Sequence, residues 1–387
     1  MSFSNPVWWF AIVALCMALG AAFARSSAFY RERLAEAGGG RFGTIDGLRG
    51  YLALGVFGTH AVNMYTLHTS GEWAAGIAPF YATASRAGVA LFFVITGFLF
   101  WLRVLRAGDA FDVRAFFVSR LRRLTPMYLM SVLMVLAVVA AASGFALRDG
   151  PAALARDLRP WLSFGFMRTG EINGLDEARY VNAVYWTLAY EWTFYVALPF
   201  LALFARSWRG GLALGAAVLV FGTQSPIIYN FLAGAAAAWL VQRGILKNEL
   251  KSPWLAAVPL AALALYFLLP NVHGLLQAVL LFVFFIFVVH GFSVFGLLHS
   301  RSAQFLGLVS YSIYLTHCIA LFATVRAVHA AVPLAELQPA QYWAVAALAA
   351  AGSVLLSALT YRYVEYPFIH PQRAAPRRAA MHSQVTP

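Results

Sequence analysis

The chain has 387 residues, of which 61% are hydrophobic and only 11% charged, with a mean hydropathy of +0.72. Charge this sparse cannot solvate a globular surface of that size, which excludes a water-soluble domain and leaves an all-α, polytopic membrane bundle. The net charge of +13 does not point to nucleic acid, because the basic residues fall in short clusters between apolar runs, as the positive-inside rule produces.

Residues 7–24 are long enough to cross a hydrocarbon core about 30 Å thick. Ala22-Phe23-Ala24 imitates a signal-peptide cleavage site, but no basic residue precedes the apolar run, whereas Arg25, Arg31, Arg33 and Arg41 follow it. The reading is an uncleaved helix with its N-terminus outside. The next span, 48–65, runs outward, and 84–105 returns to a basic loop holding Arg103, Arg106, Arg114, Arg120, Arg122 and Arg123. A fourth span is expected from Pro126 to about residue 146, with the proline in a first helical turn. Residues 147–184 mix both charge signs with Pro, Gly and Trp. Parity puts them on the extracytoplasmic side, where a loop this long carries function or is disordered.

Span 185–205 crosses back to Arg206 and Arg209, and two short runs, 212–222 and 227–241, are split at Gln224-Ser225-Pro226. Spans 254–269, 275–292, 305–325 and 343–364 complete a set of about eleven transmembrane helices. This topology places the C-terminus in the cytoplasm and the chain in the inner membrane. The polar tail, 372–387, is expected to be disordered. Cys16 and Cys318 both sit in apolar segments with no CxxC or Cys/His spacing for a metal, so packing is their expected role and no metal is expected.

Within this pattern, 41–60 (RFGTIDGLRGYLALGVFGTH) stands out because it puts charge at one end of an apolar helix and a histidine deep inside it. Arg49 and His60 are eleven positions apart, about three turns, so they share a face roughly 16 Å apart along the axis. Ionisable groups inside membrane helices are costly and line bundle interiors or aqueous pockets, which makes His60 a functional candidate. Glu191, six residues into its predicted helix, is a second.

Six blocks carry a resemblance. They are Asp46-Gly47-Leu48-Arg49-Gly50 with His60 eleven beyond the arginine, the run GVALFFVITGFL from Gly88 to Leu99, RLRRLTPMY from Arg120 to Tyr128, WTLAYEWTFY from Trp186 to Tyr195, SYSIYLTH from Ser310 to His317, and Glu365-Tyr366-Pro367-Phe368. In this order they resemble the signature blocks of the membrane acyltransferase family 3, whose members O-acylate sugars, lipopolysaccharide, peptidoglycan and some small molecules. Thr96 stands where that family usually has serine. The resemblance implies a ten-helix acyltransferase core over 41–371, preceded by an extra helix and linker (1–40) and followed by the tail. No SGNH-type esterase domain, which many members carry, follows the last helix here, so a separate periplasmic helper or direct transfer is expected to replace it.

Acyl transfer to a hydroxyl needs a base, an activated donor such as a thioester, and stabilisation of the developing oxyanion. The resemblance and the chemistry together make His60 the base, or alternatively a covalent acyl relay. Arg49, Arg120 and Arg123 are expected to hold the phosphates of coenzyme A bidentately, so acetyl-CoA enters as the donor substrate and no permanently bound cofactor is expected. Asp46 is placed to pair with Arg49. Glu191 either pairs with a cation or orients the histidine ring, and Glu365 is expected to pair with Arg362. His317, Trp186 and Tyr195 are candidate substrate contacts, with packing as the competing role. The expected function is O-acetylation of an extracytoplasmic glycan or lipid-linked sugar, in contact with membrane lipids. A flippase for a lipid-linked sugar and an acyltransferase for a small secreted metabolite remain alternatives at this point.

Overall fold

The computed structural model describes residues 1–38, 42–204, 225–245, 250, 253–269 and 274–370. They form a helical bundle, and a bridge between Ile172 and Leu175 is the one isolated extended pairing among the described residues. The first helices are α1 (Val7–Ser26), α2 (Ala28–Gly38), α3 (Gly43–Ser70), α4 (Pro79–Ala107) and α5 (Val113–Ala142). After α6 (Gly150–Trp161) and the single turn α7 (Ala178–Val181) come α8 (Trp186–Phe204), α9 (Ile228–Arg243), α10 (Ala257–Leu268) and α11 (Leu275–Val289). The chain closes with α12 (Arg301–Leu308), α13 (Ser310–His329), α14 (Pro339–Thr360) and the short α15 (Tyr366–Ile369).

Among the described residues six segments, α1, α4, α5, α8, α13 and the run from α14 through α15, are long and apolar enough to cross a membrane, with shorter apolar helices at α10 and α11. The bundle is a multi-pass membrane architecture. Ten of the eleven expected spans coincide with helices. The eleventh, 212–222, lies outside the described residues, as do Arg41, Arg206, Arg209, Gln224, Lys247, Lys251 and the tail from Gln372.

Two expectations need correction. The fourth span starts at Val113 rather than at Pro126, because the Asp112 carboxylate caps the helix by accepting from the Ala115 N–H at 2.8 Å. Pro126 therefore sits in the helix interior, where it forgoes one backbone bond, and Arg120 and Arg123 stand on a helix instead of a loop. The polar stretch 147–184 is folded rather than a bare loop. Trp161 at the end of α6 is fully buried, its carbonyl accepts from the Tyr128 hydroxyl at 2.5 Å, and the Asn173 side chain binds the Arg148 N–H at 2.8 Å.

Helix α3 is the axis of the bundle. Its 28 residues span about 42 Å, and Leu54, Val56, Phe57, Ala61, Val62 and Met64 are buried on every side, as a helix in the middle of a larger core requires. It packs on α4, α12 and α13, while α4 packs on α9 and α13 on α14. Close approach depends on glycine. A Cβ on Gly307 of α12 would overlap the Asp46 carbonyl of α3, and one on Gly97 of α4 would overlap the Phe231 carbonyl of α9. The small residues of the membrane segments thus set how near the helices carrying Asp46 and Arg49 come to their neighbours.

Candidate active site

At one end of α3 the bundle opens into a cavity of about 470 Å³. Asp46 and Arg49 reach it from α3, Arg120 and Arg123 from α5, Glu191 and Tyr195 from α8, and Tyr311 and Tyr314 from α13. Spacing explains the convergence: Arg120 and Arg123, three apart, share one face of α5, whereas Arg122 between them is exposed. Phe92, Phe93, Thr96 and Leu99 of α4 supply an apolar wall.

The charges are mixed rather than purely basic. Arg49 lies 3.9 Å from Asp46, and Arg123 lies 3.6 Å from the fully buried Glu365. Both distances exceed hydrogen-bond range, so these guanidinium groups keep N–H donors for a further acceptor. The Arg120 guanidinium stacks 4.7 Å over the Phe100 ring, and its buried Nε has no hydrogen-bond partner. Tyr195 donates to Glu191 across one helical turn. Such a set of part-filled donors in a partly apolar cleft suits an extended anion with an apolar arm.

Glu365 corrects the sequence reading. It does not pair with Arg362, whose guanidinium stacks over Phe29 and Tyr363. A π-helical turn at Tyr361–Glu365, between α14 and α15, carries the carboxylate inward, where it accepts from Ser312 and faces Arg123. A π turn shifts residue phase relative to an α-helix, and such bulges recur at functional sites.

His60 is not in this cavity. It is buried in the middle of α3 with its Nδ1 2.9 Å from Nε2 of His317 on α13. Nδ1 of His317 lies 3.0 Å from the Ile313 carbonyl, which only accepts, so that nitrogen carries the hydrogen. For the neutral pair Nε2 of His317 then accepts, Nδ1 of His60 donates, and the lone pair of His60 falls on Nε2. Cys318 Sγ is 3.4 Å from His317 Nε2, and the three side chains lie within 4.8 Å of one another, close enough to hold a metal ion.

Tyr314 joins the two groups. Its hydroxyl bonds Thr187 Oγ1 at 2.9 Å in the cavity wall, and its ring centroid is 6.1 Å from that of His317. Of the expected site residues, Asp46, Arg49, Arg120, Arg123, Glu191 and Tyr195 meet in the cavity, and His60 and His317 meet each other. Glu191 bonds Tyr195 rather than orienting the His60 ring, and Trp186 is 48% exposed, edge-on to Tyr190 and outside the cavity. Sequence reasoning missed Tyr314 and the pairing of His317 with His60. The available signal was the three-residue spacing of Tyr314 and His317, which puts both on one helical face.

Residues 42–362 match the acyltransferase domain family. The chain belongs to this acyltransferase family. The matched stretch begins one residue before α3 and covers both histidines and every cavity arginine, while α1 and α2 precede it. Nodulation protein 10 of Rhizobium leguminosarum bv. viciae is 28% identical over 197 residues, covering 49% of this chain and 52% of the relative. The chain thus matches about half the length of that curated relative. No solved structure matches it. Family and fold together place a membrane-type helical bundle in the acyltransferase family.

Proposed function

We propose that the protein is an O-acyltransferase, specifically an O-acetyltransferase, that draws on cytoplasmic acyl-CoA and acylates a hydroxyl of an envelope saccharide, with His60 as the base. The observation that carries this reading is the arrangement along α3. Guanidinium groups with unfilled donors surround one end, and a hydrogen-bonded histidine pair lies about three turns further in, behind Tyr314. Arg49, Arg120 and Arg123 bind the phosphates of the donor at the cytoplasmic end, and the pantetheine arm follows the apolar wall of α4 toward Tyr314. Nε2 of His60 takes the proton of the acceptor hydroxyl as its oxygen attacks the thioester carbonyl carbon. The C–S bond breaks, the thiolate of coenzyme A leaves, and the imidazolium returns the proton to it. His317 holds the tautomer that leaves Nε2 free to act.

Basic clustering supports a cytoplasmic Arg49 end, in a cell with an inner membrane, and an extracytoplasmic 147–184 segment. The test is transfer of labelled acetyl from acetyl-CoA into the envelope glycan fraction of sealed inverted vesicles. Wild type incorporates label, and His60→Ala at equal protein level does not. Equal incorporation by both would reduce His60 to a packing residue.

A further inference from the structure

The cavity at the Arg49 end has a counterpart at the opposite end of the same two helices. Leu67 and His68 of α3 with Gly71 just after it, Arg326 and His329 of α13 with Ala330 just after it, and Glu177 before α7 enclose about 480 Å³. Along α3 the order is Arg49, His60, His68, and along α13 it is Tyr314, His317, Arg326. Both helices therefore read cavity, histidine, cavity. Leu67 follows His60 by seven positions, which keeps it on the same face and about 10 Å further along the axis.

The polar groups of this second cavity alternate in character. Arg326 donates to Glu177 at 2.8 Å, and each side chain is 40% or more exposed, so both retain unfilled valences. His68 Nδ1 donates to the Met64 carbonyl at 2.9 Å, which leaves Nε2 of the neutral ring as an acceptor. His329 Nδ1 accepts from the Leu334 N–H at 3.3 Å, which puts its hydrogen on Nε2 as a donor. A carboxylate, a guanidinium, one acceptor and one donor thus converge on a volume ample for one sugar ring. Three residues after Glu177, the Tyr180 ring stacks on Trp73 at 4.7 Å, and the Trp73 ring centroid is 5.9 Å from that of His60. Flat aromatic faces take the C–H face of a pyranose, and paired carboxylate and guanidinium groups take its vicinal hydroxyls. A simple anion is disfavoured there by Glu177, and an acyl chain by the polar walls.

We propose that this second cavity is the acceptor port, a site for one pyranose unit of a saccharide held by Glu177, Arg326, His68 and His329, with Trp73 beside His60 and stacked on Tyr180. The assignment rests on the acyltransferase reading above and deepens it, because donor and acceptor then approach one histidine pair from opposite ends of α3 and α13.

The test separates binding from transfer. The full-length protein in lipid nanodiscs, without acyl-CoA, is mixed with oligosaccharides released from the host envelope and modified with diethyl pyrocarbonate, and His68 and His329 are read by mass spectrometry. Saccharide is expected to lower modification of both several-fold in wild type and not in the Glu177→Gln/Arg326→Gln double variant. Unchanged modification overturns the proposal, as does protection by glycerol phosphate without protection by saccharide. In the transfer assay Trp73→Phe and Glu177→Gln are expected to raise KM for the saccharide and leave KM for acyl-CoA unchanged, and an unmoved saccharide KM overturns it. Protection by saccharide in a wild-type protein that transfers nothing retains the port and sinks the donor reading instead.

Discussion

His60 and His317 share a hydrogen bond of 2.9 Å across 257 positions of sequence, and this single contact fixes which nitrogen of His60 keeps its lone pair. The Ile313 carbonyl orders His317, His317 orders His60, and the remaining lone pair is the Nε2 of His60. If His60 is the proposed base, it depends on a residue that touches no substrate.

His317 is therefore a positioning residue with a measurable signature. His317→Ala is expected to lower kcat about 10- to 100-fold, the usual loss when the partner that orients an imidazole is removed. His317→Gln, whose amide oxygen accepts from Nδ1 of His60, restores most of it. Equal loss in both variants, or loss traced to lower protein level, would contradict the tautomer role.

The cavity arginines predict a different kinetic pattern. Arg49→Gln and Arg120→Gln each remove charge-assisted bonds worth about 1.5–3 kcal/mol, so KM for acyl-CoA rises roughly tenfold or more with a smaller change in kcat. Arg122→Gln, exposed on the far face of α5, leaves KM unchanged. Kinetics over a range of acyl-CoA concentrations, at low and moderate salt, decide the point.

Arg123 and Glu365 predict a coupling. Glu365 is fully buried, so Arg123→Met strands a carboxylate, and breaking a buried pair from one side costs about 3–5 kcal/mol. The double variant Arg123→Met/Glu365→Gln removes the stranded charge and is expected to melt at a higher temperature than Arg123→Met alone. Thermal melts of the four-protein cycle in detergent measure the interaction, and additive effects would show that the two groups are independent.

Much of this fold is legible in the sequence because a bilayer permits few solutions. Every backbone polar group must be satisfied within a helix, so apolar length marks the spans of α1, α4, α8 and α14 closely. The start of α5 is not legible from hydropathy, since its first turns are basic and its cap, Asp112, lies before a proline that reads as a boundary. The arginine-lined cavity is half legible: helical spacing puts Arg120 with Arg123 and Asp46 with Arg49. What brings Glu365 to Arg123 and Ser312 is a π turn, which shifts helical phase in a way no periodicity announces. Pairing His60 with His317 requires knowing that α3 and α13 are neighbours, and that follows from packing between segments far apart in the chain.

Gly307 carries a stability prediction. A Cβ there would overlap the Asp46 carbonyl, so Gly307→Ala must push α12 from α3 and is expected to cost about 1–3 kcal/mol, as overpacking does. Gly352→Ala is the control: it lies within α14 with nothing within 4 Å, and helix propensity alone favours alanine by about 0.5–1 kcal/mol. Melting temperatures moving in opposite directions confirm the close approach. A neutral Gly307→Ala would show that α3 and α12 have slack.

Tyr314 is the wall between the arginine-lined cavity and the histidine pair, and its two parts are separable by mutation. The ring packs against Phe92 on the cavity side and His317 on the other, and the hydroxyl ties it to Thr187. Tyr314→Phe keeps the ring and is expected to retain transfer coupled to acyl-CoA consumption, with kcat reduced by the loss of one hydroxyl near the thioester. Tyr314→Ala opens the cavity to the histidines, admits water where acceptor should be, and turns part of the transferase into an acyl-CoA hydrolase. The measurement is free coenzyme A released per acyl group transferred. That ratio stays near one in wild type and Tyr314→Phe and rises in Tyr314→Ala, whereas a ratio unmoved in all three would mean that donor and histidine meet by another route.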